Sequence, residues 1–456
     1  MTSNSIAEAD KASLLHPYTN LVRHQSVGPL VITRGEGVYV FDEQGRAYIE
    51  GMAGLWCTAL GWGEERLAKA AADQMMRLGF YHGFTHKSHD PMIRLAEKLL
   101  ELAPVPMSKV FFANSGSEAN DTAIKMVWYY NNALDRPRKK KIISRLRGYH
   151  GVTVAVSSLT ALPHNQRGFD APTTPYLQTD CPHYWRHGKP GESEEDFATR
   201  LAENLEKLIL AEGPDTVAAL IAEPVMGAGG VIVPPATYFE KIQAVLRKYD
   251  VLLIADEVIC GFGRTGARWG SETFGLKPDI LTMAKALSSG YAPISALMLT
   301  APLYDVIAEY SDRLGLFGHG YTYSGHPVSA AVALETLAIY EERDILGHVA
   351  EVAPVFQQGL RRLADHPLVG EARGVGLVGA VELVKDKASR ESFDPALGLG
   401  PKVVAFAQEQ GLITRAMGDV IAMSPPLVIK AEEVRDMLSR LERALDLAES
   451  WVAANA

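Results

Sequence analysis

The chain has 456 residues, 47% of them hydrophobic and 22% charged, and a formal net charge of −9. This composition is ordinary for a globular protein of two domains, and a chain without a basic excess is a poor candidate for nucleic-acid binding. The three cysteines show no spacing typical of a disulfide framework or a metal site. Residues 1–10 lack the features of a signal peptide, and no apolar run approaches membrane-spanning length. We therefore expect a cytoplasmic protein that contacts no membrane.

Strands and helices alternate through the middle of the chain. A strand over 110–114 ends in Ser-Gly-Ser and leads into a helix over 118–130. The apolar run 251–256 is typical of a strand buried on both faces. The other predicted strands are 141–144, 152–157, 217–225, 279–284 and 294–300, and the other helices are 197–211 and 235–249. This alternation predicts an α/β fold with a mostly parallel central sheet flanked by helices.

The C-terminal third has a different character. It predicts helices over 326–342, 400–410 and 431–451, and an alternating strand over 375–384 with one exposed face. Near the N-terminus, 37–42 and 44–50 have the pattern of a strand, a turn and a strand. We expect a smaller α+β domain built from both termini (1–55 and 326–456) beside a large domain over 56–325.

Lys285 is the most informative residue of the sequence. It follows the predicted strand 279–284, and small residues and Gly290 come after it. Because an unpaired buried charge is costly, a lysine in this position is a candidate for neutral amine chemistry, such as a Schiff base with an aldehyde cofactor. The alternative is a lysine at a strand end that reaches water.

Asp256 ends the buried strand 251–256, where ligands bind in parallel sheets. Its carboxylate suits a cation such as a protonated pyridine nitrogen, although it could also cap a helix or brace a loop. Arg415 lies in an apolar run and needs an anionic partner, either a substrate carboxylate or an internal acidic residue. Both residues are candidate site residues.

Three further segments have two interpretations each. The run 114–120, between a strand and a helix, suits phosphate binding through its Ser and Gly residues, or simple capping with Ser117 as the N-cap. In the tripeptide 149–151, Tyr149 could stack on a planar ring or fill the core. Glu223, followed by Pro224, is ordinarily an acid at a strand exit.

Two matches to the dinucleotide-binding pattern G-x-G-x-x-G lack its context. The segment 261–266 follows a strand but opens no convincing helix, and 374–379 precedes a strand instead of following one. We expect neither to bind a nicotinamide cofactor.

Together these segments resemble the class III aminotransferases, which are fold-type-I enzymes that use pyridoxal phosphate. The resemblance extends from His16 to about Lys430 and is carried by 114–118, 148–151, 256–266, the Lys285 segment and 322–327. The sequence is most similar to the ω-aminotransferases, which move amino groups from amines to pyruvate. The resemblance implies a homodimer with shared active sites, possibly a tetramer.

The resemblance also implies residue roles. Lys285 binds the cofactor aldehyde and moves the proton, and Asp256 keeps the ring nitrogen protonated. Tyr149 and Val258 lie on the two ring faces, and Thr322 completes the phosphate site from the neighbouring subunit. The implied cofactor-binding residues are Ser115, Gly116, Ser117, Tyr149, His150, Glu223, Asp256, Val258, Lys285, Tyr321 and Thr322.

The implied substrate pocket has apolar walls and one arginine. Arg415 pairs with the keto-acid carboxylate, and the walls are Tyr18, Leu55, Trp56, Tyr149 and, from the partner chain, Phe84. Ala228 stands where the γ-aminobutyrate and ornithine branch has a glutamate that neutralises an arginine, which favours pyruvate over 2-oxoglutarate. Other class III enzymes remain alternatives, namely a diamine or biotin-precursor aminotransferase or an aminomutase. A cofactor-free dimer that uses this fold for interaction is a further one.

Overall fold

The computed structural model describes residues 5–455. The first four residues of the polar N-terminal stretch 1–10 therefore lie outside the described part. Among the described helices, none combines the length and the hydropathy needed to cross a membrane. The cysteines within this range, which are Cys57, Cys181 and Cys260, are free thiols.

Fifteen strands are present in residues 5–455. In chain order they are β1 (Ile32–Glu36), β2 (Tyr39–Asp42), β3 (Ala47–Glu50), β4 (Lys109–Ala113), β5 (Lys141–Arg145), β6 (Tyr176–Thr179), β7 (Val217–Ala222), β8 (Leu252–Asp256), β9 (Ile280–Met283), β10 (Ser295–Leu299), β11 (Val369–Val375), β12 (Val378–Leu383), β13 (Leu412–Ile413), β14 (Arg415–Met417) and β15 (Val420–Met423).

Seventeen α-helices accompany them in the same range. They are α1 (Ile6–Ser13), α2 (Leu21–Val27), α3 (Ala53–Trp56), α4 (Glu65–Leu78), α5 (Asp90–Glu101), α6 (Gly116–Ala133), α7 (Val154–Leu159), α8 (Pro163–Gln166), α9 (Tyr184–His187), α10 (Glu194–Glu212), α11 (Tyr238–Lys248), α12 (Gly270–Phe274), α13 (Ala301–Leu314), α14 (Pro327–Glu342), α15 (Ile345–Arg362), α16 (Leu399–Glu409) and α17 (Ala431–Asn455).

The central sheet has seven strands in the order β4-β10-β9-β8-β7-β5-β6. Strands β9, β8, β7, β5 and β6 are parallel, whereas β10 is antiparallel to both of its neighbours. Every residue of β7 and β8 is buried, because helices cover both faces of the sheet. The predicted α/β class with a mostly parallel sheet is thereby confirmed.

Two four-stranded sheets lie outside the central one, in the orders β1-β2-β3-β13 and β11-β12-β15-β14. In the first of them, the N-terminal β3 pairs in parallel with the C-terminal β13, where Ile49 faces Leu412 and Glu50 faces Ile413. Both ends of the chain therefore contribute to one sheet. The domain limits near residues 55 and 325 stay a prediction.

Two sequence-based expectations are wrong. Residues 152–157 were expected as a strand, but Val154–Leu159 forms α7, which packs against α6 and β5 and buries Val156 and Leu159. The segment 375–384 was expected as one strand with an exposed face. It contains a turn between β11 and β12 instead, and all of β12 is buried because α15 packs against this sheet.

Candidate active site

A cavity of about 340 Å³ lies at the carboxyl edge of the central sheet. Asp256 is the last residue of β8 and pairs with Thr282 of β9, and Lys285 follows β9 by two residues. Adjacent parallel strands end at the same edge, so the carboxylate and the amine reach one space. The cavity is also lined by Ser115, Gly116, Ser117, Asn120, Tyr149, His150, Glu223, Val258 and Ile259.

The Asp256 carboxylate is oriented by three donors. Its Oδ2 atom lies 2.8 Å from His150 Nδ1 and accepts a hydrogen bond of 2.8 Å from Asn120 Nδ2. Its Oδ1 atom accepts from the Val258 N–H at 3.1 Å. Because an ionised carboxylate only accepts, Nδ1 of His150 carries the proton in this pair. The bond to Val258 shows that Asp256 braces this loop, which was the alternative role considered from the sequence. The same carboxylate also faces the cavity.

Asn120 is a site residue to which sequence reasoning gave no role. Its Nδ2 atom also donates to the His150 carbonyl at 2.8 Å, and its Oδ1 atom accepts from Thr282 Oγ1 at 2.7 Å. Asn120 is 1% exposed. The signal was its position four residues after Gly116, because helical residues i and i+4 share one face.

The start of α6 forms one wall of the cavity. Ser115 is its N-cap and accepts a hydrogen bond from the Glu118 N–H, so the expectation that Ser117 caps this helix is wrong. The Ser117 hydroxyl instead accepts from the Val152 N–H, at 3.1 Å. The first N–H groups of a helix lack intrahelical acceptors, so those of Gly116 and Ser117 can bind an anion.

Gly116 and Val258 mark a narrow gap in the cavity. A Cβ atom built on Gly116 would lie 3.1 Å from both Val258 methyl groups, which is closer than ordinary contact. Val258 and Tyr149 line the same cavity from different loops. An anion site at a helix start, a flat apolar wall and a buried carboxylate together fit a phosphorylated aromatic ring such as pyridoxal phosphate.

Glu223 fixes the loop that carries Tyr149. Its two carboxylate oxygens accept from the Tyr149 N–H at 3.0 Å and from the Gly227 N–H at 2.9 Å. Burial raises the pKa of Glu223, whose side chain is enclosed behind the cavity. Burial, followed by the neighbouring Tyr18 hydroxyl, raises the pKa of Tyr149. Glu223 follows the end of β7, as expected from the sequence, but it also lines the small cavity and fixes Tyr149 there.

Lys285 has an unusual backbone conformation. Its φ angle is +49°, in the left-handed region that residues with a Cβ atom rarely adopt. Ser289, four residues later, also has a positive φ of 51°. Such conformations cost about 1–3 kcal/mol each and persist where the surrounding structure demands them. The turn after β9 therefore fixes where the Lys285 side chain leaves the backbone.

A second, larger cavity of about 2430 Å³ adjoins the first. The two cavities share Tyr149, Ile259 and Lys285 as lining residues. The larger one is lined by Tyr18, Leu55, Trp56, Ala228 and Arg415, among others. The sequence-predicted substrate residues of this chain, apart from Phe84, therefore lie together, next to the amine.

Among the residues that the structure describes, Arg415 lies over aromatic rings and forms no ion pair with an acidic residue. Its guanidinium carbon lies 5.3 Å from the Trp56 ring centroid and 5.9 Å from that of Tyr18. Burial lowers the pKa of Arg415, and the titratable side chains next to it within residues 5–455 are the phenols of Tyr18 and Tyr149. The alternative of an internal salt bridge is thereby wrong for the described part of the chain.

Phe84, Tyr321 and Thr322 do not line either cavity of this chain. Phe84 is 42% exposed, and Thr322 is also exposed. The Tyr321 hydroxyl lies 3.2 Å from Oγ1 of the buried Thr122 of α6. Their assigned roles therefore depend on a second chain.

Comparison with known proteins identifies the family of this chain. The family model "Aminotransferase class-III" matches residues 21–445. A gamma aminobutyrate transaminase 3 (chloroplastic) of Solanum lycopersicum is 52% identical over 440 residues, which are 96% of this chain and 85% of that protein. A gamma-aminobutyrate transaminase 1 (mitochondrial) of Oryza sativa subsp. indica is 53% identical over 441 residues, with 96% and 86% coverage.

Solved structures agree in the same way. The omega transaminase from Pseudomonas jessenii in complex with PMP superposes with a TM-score of 0.97 at 59% identity, covering 99% of this chain and all of that one. A thermostable variant engineered for asymmetric synthesis of enantiopure bulky amines has the same TM-score and identity, with 98% and 100% coverage. A buried carboxylate, a strand-end lysine and an anion site at a helix start together indicate a pyridoxal-phosphate enzyme. The chain belongs to the class-III aminotransferase family, has the type I fold of these transaminases, and uses pyridoxal phosphate.

Proposed function

We propose that this transaminase moves an amino group from a primary amine, or from an ω-amino compound, to pyruvate in two half-reactions of a ping-pong cycle. The products are an aldehyde or ketone and alanine. The observation that carries the proposal is the second cavity, in which the apolar side chains of Leu55 and Trp56 and the guanidinium of Arg415 lie next to Lys285. Apolar walls suit an uncharged amine substituent, and the guanidinium suits a carboxylate.

Pyruvate fits this cavity as the acceptor. Ala228 places a methyl group where a competing acid would otherwise neutralise an arginine, so Arg415 can bind the keto-acid carboxylate through two parallel hydrogen bonds. Pyruvate adds only a methyl group to its keto-acid core, which leaves the apolar walls free to accept amines of different size.

Known relatives favour a particular kind of amine donor. The curated relatives are named gamma-aminobutyrate transaminases, and a structural neighbour was engineered for bulky amines. γ-Aminobutyrate carries a carboxylate at the end opposite its amine, so Arg415 would bind donor and acceptor in turn. A donor without a carboxylate would instead contact Trp56 and Tyr18. We include γ-aminobutyrate among the proposed donors.

The small cavity supplies the groups that the chemistry requires. Pyridoxal phosphate, when bound, supplies an aldehyde and a ring that accepts electrons. Lys285 would hold the aldehyde and would supply the amine that moves a proton. Asp256, oriented by His150, would pair with the protonated ring nitrogen.

The remaining residues position the cofactor. Ser115 and the first N–H groups of α6, at Gly116 and Ser117, bind the phosphate. Tyr149 and Val258, which line the same cavity, would hold the ring between them. Glu223 fixes Tyr149 by accepting its N–H.

A second copy of this chain would complete the site. Thr322 and Tyr321 would reach the phosphate of the partner, and Phe84 would wall its substrate cavity. An exposed aromatic group at this face supports a homodimer, since Phe80 (43% exposed) and Tyr323 (59% exposed) pack with ring centroids 5.6 Å apart. Sedimentation should give a dimer or a tetramer, and a monomer with full activity would contradict this part. We also propose a cytoplasmic location, supported by the free thiols of the described residues.

The experiment is an amine panel assayed with pyruvate and, separately, with 2-oxoglutarate, with alanine and glutamate measured as products. We expect alanine to form stoichiometrically with the aldehyde or ketone, and faster than glutamate. An aminomutase would release no keto product, and preferential glutamate formation would contradict the proposed acceptor. Lys285→Ala should abolish turnover and the visible absorbance of the bound cofactor; transamination by this variant would refute the assignment.

A further inference from the structure

Glu50 is a buried carboxyl group directly behind the substrate wall. It is the last residue of β3 and is 4% exposed. Its Oε2 atom accepts hydrogen bonds from two backbone N–H groups of the following segment, that of Met52 at 3.3 Å and that of Gly54. Burial raises the pKa of Glu50 to about 8, so the group is largely protonated at pH 7 and keeps Oε2 as an acceptor.

The segment that Glu50 holds is strained and presents two wall residues. Ala53 and Trp56 have φ angles of 47° and 59°, in the region that residues with a Cβ atom avoid. Gly54 between them has a φ of 68°. Leu55 and Trp56 project from this segment into the larger cavity. Such a conformation requires fixed hydrogen bonds, and Glu50 supplies two of them.

The Trp56 ring has no polar anchor of its own. Its Nε1 atom is buried and has no hydrogen-bond partner among the described residues. The ring position therefore depends on apolar packing and on the backbone conformation of the segment. A change at Glu50 acts directly on that conformation, through the N–H groups of Met52 and Gly54.

The end of β3 is also hydrogen-bonded to the strands next to Arg415. The Gly51 N–H donates to the Ile413 carbonyl at 2.9 Å, and the Gly51 carbonyl accepts from the Ser424 N–H at 2.6 Å. Strand β14 begins two residues after Ile413 with Arg415, whose guanidinium lies over the Trp56 ring. The end of β3 thus supports both the apolar wall and the carboxylate-binding group.

We propose that Glu50 is a positioning residue for substrate selectivity: it holds the 52–57 segment so that Leu55 and Trp56 set the width of the amine cavity. Glu50 contacts no substrate and no cofactor in this role. The inference rests on the proposed function only in naming an amine as the molecule that the wall selects. The position of the wall itself is independent of the substrate.

The test compares three substitutions at Glu50 with a matched control. Glu50→Asp shortens the side chain by one methylene, Glu50→Ala removes the acceptor, and Glu50→Gln keeps a neutral acceptor oxygen. The control, Asp42→Asn, changes a buried carboxyl group of the same β-hairpin. Asp42 also accepts two backbone N–H groups, those of Gln44 and Arg46, but at the turn away from the cavity.

Two quantities are measured on the holoenzymes at pH 7. One is amide hydrogen exchange over 51–58. The other is the ratio of kcat/KM for 1-phenylethylamine to that for isopropylamine, taken from the half-reaction that bleaches the bound cofactor. For Glu50→Asp and Glu50→Ala we expect exchange of this segment to rise at least about tenfold and the ratio to change about tenfold, because a buried hydrogen bond is lost. Glu50→Gln should stay within about threefold of the parent, and Asp42→Asn should change neither quantity.

The possible results distinguish the positioning role of Glu50 from the proposed class of amine donor. Unchanged exchange over 51–58 in Glu50→Asp would overturn the positioning role, as would an equal change of the ratio in Asp42→Asn. A faster exchange with an unchanged ratio would show that Glu50 orders the segment without setting selectivity, which also overturns the proposal. Failure of the parent enzyme to react with either amine would instead count against the proposed donor class, and the exchange data would still test the position of the wall.

Discussion

His150 and Asp256 form a buried pair beneath the small cavity. The Nδ1 atom of His150 lies 2.8 Å from Asp256 Oδ2, and the two side chains are 0% and 3% exposed. In such a site the carboxylate is largely removed from water, so its orientation is set by the groups that donate hydrogen bonds to it. The pair therefore prepares one anionic oxygen for a cationic ring nitrogen before the cofactor binds.

Asp256→Asn tests the charge of this oxygen. The amide keeps the shape of the side chain but cannot hold a pyridinium cation, and an amide hydrogen would face the donors of His150 and Asn120. We expect kcat to fall by about 10²–10³-fold, the usual effect of removing one preorganised electrostatic group. Steady-state kinetics together with the cofactor content of the purified variant measure this.

The control for Asp256→Asn is Asp279→Asn. Asp279 lies next to the other end of the same sheet, where its Oδ2 atom accepts from the Leu253 N–H at 2.8 Å. This variant should keep kcat within about twofold, because its carboxylate lies far from the reacting atoms. An equal loss of kcat in both variants would mean that a general disturbance of the sheet, and not the loss of charge at residue 256, lowers kcat.

Asn120→Ala tests the second support of the carboxylate. It removes the hydrogen bonds to Asp256, to the His150 carbonyl and from Thr282. Because buried partners are left without hydrogen bonds, we expect a loss of about 1–3 kcal/mol in the free energy of unfolding and a tenfold or greater fall in kcat. Chemical denaturation and kinetics measure the two effects. Full stability with unchanged kcat would show that Asn120 is not needed to orient Asp256.

The sequence predicted the central sheet and the residues at its edge because the signals there are local. The apolar run before Asp256 and the segment before Lys285 each mark one buried strand, and parallel strands end at one edge by geometry alone. The fold class and the neighbourhood of these two residues were therefore accessible without coordinates. The family resemblance added the other candidate residues.

Two kinds of feature were not accessible from sequence. Residues 152–157 have β-branched side chains that suit a strand, but tertiary packing against α6 favours a helix there. The spacing of Asn120 from Gly116 places it on the cavity side of α6, but its long-range bonds to Asp256 and Thr282 could not be predicted. The local bonds of Glu50 matter because of the strained backbone at 53–56, which residue type does not reveal. Arg415 could be predicted as a candidate, but only the structure shows aromatic rings in place of an acidic partner.

The stability of the fold should decrease as the pH rises towards 8. Burial raises the pKa of Glu50 to about 8 and that of Glu257 to about 7, above the ordinary value of 4.5 that the unfolded chain has. Between pH 4.5 and these values the native state binds more protons than the unfolded state. As the pH rises through this range, each group therefore reduces the free energy of unfolding by up to about 1.4 kcal/mol per pH unit. Acids with a lowered pKa, such as Glu192, act below this window. Burial lowers the pKa of His319 to about 4, so between pH 4 and 6.5 this histidine acts in the opposite direction, and the decrease in stability should be clearest above pH 6.5.

Glu50→Gln isolates this effect from other titrations. The amide is neutral at every pH, so between pH 5 and 7.5 the slope of unfolding free energy against pH should be less negative by about 1.4 kcal/mol per unit than in the parent. Urea denaturation of the holoenzyme at a series of pH values gives the slope. Parallel slopes in the two proteins would show that Glu50 ionises normally in the folded state.

One carboxylate links the two helices on either side of Tyr18, whose hydroxyl also accepts a hydrogen bond from Asn165 Nδ2. Asp10 of α1 accepts from His16 Nε2 and from His24 Nε2 of α2, both at 2.9 Å, and Tyr18 lies between the two helices. Asp10→Ala removes both bonds, so we expect faster proteolysis within 6–28 and a rise in amine KM of about fivefold or more, with kcat nearly unchanged. Lys11→Ala breaks only a surface ion pair with Glu8 on the same helix and should alter neither quantity. If Asp10→Ala lowered kcat without changing KM or proteolysis, the N-terminal helices would influence the reaction by some route other than holding Tyr18 at the cavity.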